Sequence, residues 1–173
     1  FGVAGNIPAS LLKEWKSLFS MLPVGKKLLP IARPPISSET GPQWLVVEGQ
    51  FDATGIHMGY SIAPTRSHPD FPALYLASWA FGKHRSFLGR LMNVVRELRG
   101  LNYGTYSYVE DFPHGGHLLS PPVGVSRSVQ AFTIWVRPTT IENGCFVMRQ
   151  VLREVESLGL DGLSQTEFDL AKS

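Results

Sequence analysis

Cysteine occurs once in the 173 residues, at Cys145, so the chain has no internal disulfide and no cysteine-rich zinc site. Charge is sparse and nearly balanced: 16 Lys and Arg against 14 Asp and Glu leave a formal net charge of +2. Binding to nucleic acid through its phosphates calls for a marked basic excess, which argues against a nucleic-acid partner. No stretch approaches the roughly 18 unbroken apolar residues of a membrane-spanning helix. Neither HExxH nor HxxEH occurs, there is no G-x-S-x-G nucleophile elbow, and Gly82 and Gly115-Gly116 lack phosphate-loop spacing. The chain is 43% hydrophobic, which excludes a disordered polymer and supplies one ordinary domain core. Residue 1 is Phe, and residues 1–173 are read as a single domain within a longer polypeptide.

The pattern predicts alternating strands and helices. Residues 1–6 (FGVAGN) read as a strand tail. Leu11, Leu12, Trp15, Leu18, Phe19 and Leu22 have helical spacing, with Pro8 in the first turn and Pro23 as the stop. Five prolines between residues 23 and 42 make an extended connector. Residues 44–48 (WLVVE) and 54–63 (TGIHMGYSIA) read as strands. The second sets Ile56, Met58, Tyr60 and Ile62 against His57, Gly59 and Ser61 on the opposite face. Helices are expected from Pro69-Asp70 to Phe81 and from Phe87 to Arg99, the latter closed by Gly100. Strands are expected at 103–109 and 128–137, separated by a loop over 111–127. Thr139–Glu142 and Ser164–Glu167 have capping-box spacing, each opening a helix, with a turn at 159–162. The fold class is α+β, with a largely antiparallel sheet and helices packed on one face.

Three places invite chemistry. His114 and His117 form the one close histidine pair, and Glu110 and Asp111 are near enough in sequence to complete a metal set; a solvated loop carrying two histidines is the favoured reading. His57 reads as a surface or hydrogen-bonded strand residue. Cys145 lies near the start of an amphipathic helix, at a position facing the core. Arg96 and Tyr103 are separated by a helix end, Gly100 and the start of a strand. A turn there can bring a fixed cation and a phenol together to donate hydrogen bonds to a developing oxyanion. The same spacing also serves an Arg paired with a nearby acid and a Tyr that packs.

Several separated segments fall in a familiar order: DFPALYLASWAFG at 70–82, GRLM at 89–92, RELRGLNYGTY at 96–106, VRPTTIENG at 136–144 and GLDGLSQTEF at 159–168. Together they resemble the pitrilysin/insulinase zinc metallopeptidases, and among their domains the later, non-zinc-binding domain of bacterial members. The resemblance implies homologous α+β domains closing around an unfolded peptide substrate. It implies no cofactor in this chain, with zinc held by an HxxEH-bearing partner domain or subunit. Tyr103 would then stabilise the oxyanion of the tetrahedral intermediate, and Arg96 would support the substrate. The basic turn Gly82, Lys83, His84 and Arg85 replaces a glycine-rich turn of many relatives and would contact substrate. A purely structural or peptide-binding relative without catalytic use of the pair is the alternative. The bacterial relatives imply an exported or periplasmic location.

Overall fold

The computed structural model describes residues 3–27, 41–84, 86–110 and 130–172. The expected loop at 111–127, with Asp111, His114 and His117, lies outside them, as does Arg85. The chain divides into two compact units, residues 1–46 and 47–173.

In the first unit, helix α1 (Ala9–Ser20) forms where the apolar spacing predicts it. Pro8 sits just before the helix, its carbonyl accepting from the N–H groups of Leu11 (3.1 Å) and Leu12 (3.3 Å). Leu11 and Trp15, one turn apart, are its half-buried residues, and no α1 residue is fully buried. The strand expected at the N-terminus is absent from residues 3–6, residues 1 and 2 lying outside the described ones. The expected strand at 44–48 is absent as well: these residues pair with no other described segment, and Trp44, Leu45, Val46 and Val47 are exposed. A β-prone run becomes a strand only when a neighbour accepts and donates its ladder hydrogen bonds.

The second unit is an antiparallel sheet with helices against it. Strands β1 (Thr54–Ile62), β2 (Thr105–Tyr108) and β3 (Gln130–Thr139) lie in the order β1-β3-β2. The register pairs His57 with Trp135, Met58 with Ile134, Thr105 with Val136 and Tyr106 with Trp135. Alternation along β3 therefore decides everything laid across it. Phe132, Ile134 and Val136 point to the core; Trp135 and Arg137 point to the other face. Helix α2 (Phe71–Gly82), a π-helical segment (Met92–Glu97) and helix α3 (Gly144–Asp161) supply the opposing layer. Phe81, Leu91, Val95, Val147 and Val151 meet the core face of β3, with Ile56 and Met58 of β1 packed alongside. The α+β class and the antiparallel sheet follow the sequence pattern, as does the inward face of β1 at Ile56, Met58 and Ile62, whereas Tyr60 on that face is exposed and lies beside Phe132.

Local chemistry sets the boundaries. The helix expected from Phe87 to Arg99 is wound as a π-helix over Met92–Glu97, with the Leu98 N–H donating to the Asn93 carbonyl. It closes in an αL motif: the Gly100 N–H donates to the Arg96 carbonyl (2.7 Å), and the Leu101 N–H reaches further back, to the Val95 carbonyl (3.1 Å). Gly100 has φ +61°, a conformation that favours glycine. The expected turn at 159–162 is shorter, since α3 runs through Gly159 and ends at Gly162. The capping box expected at Thr139–Glu142 does not form, because the Thr139 hydroxyl donates instead to the Leu101 carbonyl at 2.6 Å. A 3-10 turn (Ile141–Asn143) stands in its place.

The second capping box forms. The Ser164 N–H and hydroxyl both donate to Glu167 Oε2, and the Glu167 N–H donates back to Ser164 Oγ. Arg90 grips the same carboxylate in a fork, with Nη2 at 2.7 Å from Oε2, and its Nη2 also reaches the Gly162 carbonyl. This pins helix α4 (Gln165–Lys172) to the segment entering the π-helix. The guanidinium, with the Ser164 donors, holds the Glu167 carboxyl down from an ordinary 4.5 to about 2.

Two predictions follow from these contacts. The Glu167 contribution, about 2 to 3 kcal/mol, is complete above pH 4.5 and is lost as pH falls through about 2. Thermal unfolding of wild type and Glu167→Gln across that window should show the wild type losing more stability; parallel curves would contradict the ion pair. At Gly82, an added Cβ would lie 2.9 Å from Leu91 Cδ1 and 3.0 Å from the Ser107 backbone nitrogen. Gly82→Ala should therefore lower stability by about 1–3 kcal/mol, read as a shift in the urea midpoint.

Candidate functional site

The segment 101–105 is clasped onto the end of β3. The Arg137 N–H donates to the Gly104 carbonyl at 3.1 Å, and the Asn102 amide donates to the Arg137 carbonyl at 3.2 Å and to Thr105 Oγ1 at 3.0 Å. The Thr139 hydroxyl closes on Leu101. Tyr103 thus sits between two residues that are both bound to the backbone of Arg137. The residue as a whole is left exposed, at 59%.

Arg96, on the π-helix, places its guanidinium carbon 4.9 Å from the centre of the Tyr103 ring. The Arg137 guanidinium approaches the same ring at 4.8 Å. Arg96 also lies 5.0 Å from the Phe87 ring, and Arg137 5.8 Å from Trp135. The result is an alternating series of ring and cation, Phe87, Arg96, Tyr103, Arg137, Trp135, with every step inside cation–π range. Arg96 and Tyr103 therefore converge. The contact is between the guanidinium and the ring, which leaves the phenol hydroxyl available to a ligand. Arg96 also meets the exposed Glu97 at 3.6 Å, so the local acid considered from the sequence is present too.

Arg137, Trp135 and Phe87 were not singled out in the sequence. Strand alternation does place Trp135 and Arg137 on one face. Their link to Tyr103, however, arises from the register that sets Thr105 opposite Val136, a pairing between distant segments.

The turn at 82–85 is built differently. Gly82 is buried against Leu91 and Ser107. The Lys83 ammonium lies over the Trp79 ring, 2.7 Å from its centre, and burial lowers its pKa. The His84 Nδ1 is 2.7 Å from the Tyr108 hydroxyl, and the ring packs on Tyr106 and stacks at 6.5 Å with Trp135. Gly82, Lys83 and His84 thus lie against protein atoms and aromatic rings. His84 and Arg137 share Trp135 as a neighbour, which connects the two groups of predicted site residues. His57 stacks on Trp135 as well, at 6.0 Å.

Of the metal set considered, only Glu110 lies within the described residues, and among these no three His, Cys, Asp or Glu side chains gather. Glu110, considered as a ligand beside His114 and His117, is buried, and both of its oxygens accept from Arg66 (2.8 and 2.7 Å). That fork raises the Arg66 pKa, with the side-chain hydrogen bond as the largest cause. Cys145 is exposed on α3 rather than facing the core; Val147 and Val151 take the buried positions of the same helix.

An antiparallel sheet with one helical layer, carrying an exposed phenol between guanidiniums, defines an α+β domain with a surface site of cations and rings. The family described as peptidase M16 inactive domain matches residues 1–173, and the chain belongs to that family. A crystal structure of a peptidase M16 inactive domain from Pseudomonas fluorescens is similar, with a TM-score of 0.56 and 28% identity. The similarity covers 70% of this chain and 26% of that one, so the chain corresponds to about a quarter of that relative's length. Comparison with curated proteins gave no match.

Arg66→Ala removes the fork from a buried carboxylate and should cost about 1–3 kcal/mol. Chemical denaturation of Arg66→Ala beside Arg66→Lys will check this, the lysine variant recovering charge without the bidentate geometry.

Proposed function

We propose that this inactive M16 domain completes a peptide-hydrolysing chamber and lends Tyr103 and Arg96 to a site whose metal lies in an HxxEH-bearing partner. One observation carries the reading: Arg96 meets Tyr103 across the helix-to-strand turn while the phenol stays exposed. Family membership and the lack of HxxEH in the sequence support a metal held by the partner domain or subunit; zinc bound there would supply Lewis-acid chemistry to the scissile carbonyl.

What this chain contributes is electrostatic. A phenol donor held in place before the substrate arrives can bind charge that develops on the carbonyl oxygen, without reorganisation during the reaction. The Arg96 and Arg137 cations beside the ring favour negative charge in the same region. Family membership supports the pairing with a catalytic partner, and an unfolded peptide is the proposed substrate.

In the intact protein with its zinc-bearing partner, Tyr103→Phe keeps the ring and deletes the hydroxyl. Cleavage of an unstructured fluorogenic peptide should lose about 100-fold or more in kcat, with KM little changed. Equal kcat values for the two proteins would assign the domain to the structural or peptide-binding class of peptidase-derived domains instead.

A further inference from the structure

We infer that Arg96 and Arg137 form a carboxylate-binding site beside Tyr103, taking an acidic side chain of an extended peptide. This rests on the peptide-chamber reading and names the substrate class the chamber prefers.

The four arginines with described tertiary contacts divide into two kinds. Arg66 and Arg90 spend their forks on Glu110 and Glu167 within the fold. Among the described residues the one acid that pairs with Arg96 is the exposed Glu97, at 3.6 Å and on the neighbouring residue. Arg137 forms no ion pair among the described residues. Both lie beside rings, Arg96 against Phe87 and Tyr103, Arg137 against Tyr103 and Trp135.

A guanidinium held against a ring face loses part of its rotational freedom and keeps its planar set of N–H donors for an acceptor. That is the state in which arginine binds a planar carboxylate with little further loss of side-chain freedom. Because both cations lie under 5 Å from one ring centre, they stand within twice that distance of each other. Two preoriented cations around one exposed ring complement a carboxylate. The Arg137 backbone is tied to Asn102 and Gly104, so its side chain and Tyr103 move as one piece. A carboxylate held there would set the peptide chain beside the phenol, which makes Arg137 a specificity-determining residue.

The test is binding, measured without turnover. Two fluorescent, unstructured peptides, amidated at the C-terminus and identical except for one Glu or Gln, are titrated by anisotropy into the intact protein. The wild type should bind the Glu peptide about tenfold more tightly. Arg137→Gln and Arg96→Gln should each bring that preference close to unity, Arg137→Lys should keep part of it, and added salt should weaken it. Far-UV circular dichroism of each variant verifies the fold. Equal binding of the two peptides by the wild type, or a preference that survives both glutamine substitutions, overturns the carboxylate site alone, and the Tyr103→Phe rate then stands as separate evidence on the chamber. Absence of binding by either peptide overturns both.

Discussion

The position of Tyr103 depends on the backbone of one residue, Arg137. Its N–H and its carbonyl are both committed to the segment that carries the tyrosine, through Gly104 and Asn102. With Thr139 bound to Leu101, the segment follows β3 instead of leaving the helix as a free loop. The αL closure at Gly100 aims the chain at that strand, and the register of β2 on β3 fixes where it arrives. Loss of this clasp would leave Arg96 and Tyr103 on two elements with no reason to meet.

The same strand separates the core from the candidate site. Phe132, Ile134 and Val136 face helices α2 and α3 and are buried, while Trp135 and Arg137, on the alternate positions, gather rings and cations. Because a strand alternates with period two, the core can be packed tightly without dictating the chemistry of the opposite face. Gly82 lets α2 approach β2 closely enough for His84 to reach Tyr108 and Trp135. The basic turn thus supports the ring cluster from its side.

Charge is used sparingly and in two ways. Buried or half-buried carboxylates at Glu110 and Glu167 are each answered by an arginine fork, which is how a small fold tolerates ionised groups away from water. Arg96 and Arg137 are supported by aromatic faces, which hold a guanidinium while leaving its donors in place. One residue type therefore serves as internal staple in one setting and as presented cation in the other. The difference lies in what faces it.

Much of this was legible in the residues themselves. The α+β class, α1, the inward face of β1, the Gly100 closure and the Ser164–Glu167 box all depend on neighbours within a few positions, and local spacing is enough to read them. The order of separated motifs likewise pointed to the M16 family and to Arg96 with Tyr103. The misreadings share one physical cause. Residues 44–48 have strand composition but no ladder partner among the described residues, Thr139 gives its hydroxyl to Leu101 rather than to a helix, and Cys145 lies on the exposed side of its helix. Each depends on what other segments of the fold offer or withhold, which local spacing does not carry. The same holds for Arg137: alternation showed its face, but only the pairing of β2 with β3 placed it against Tyr103. The sequence by itself determined most of the local elements and the family, and it singled out Arg96 and Tyr103 as a candidate pair, because those are written in short-range periodicity and motif order. The tertiary structure alone decided which cations reach which rings, because that depends on strand register and on hydrogen bonds between segments some thirty-five residues apart.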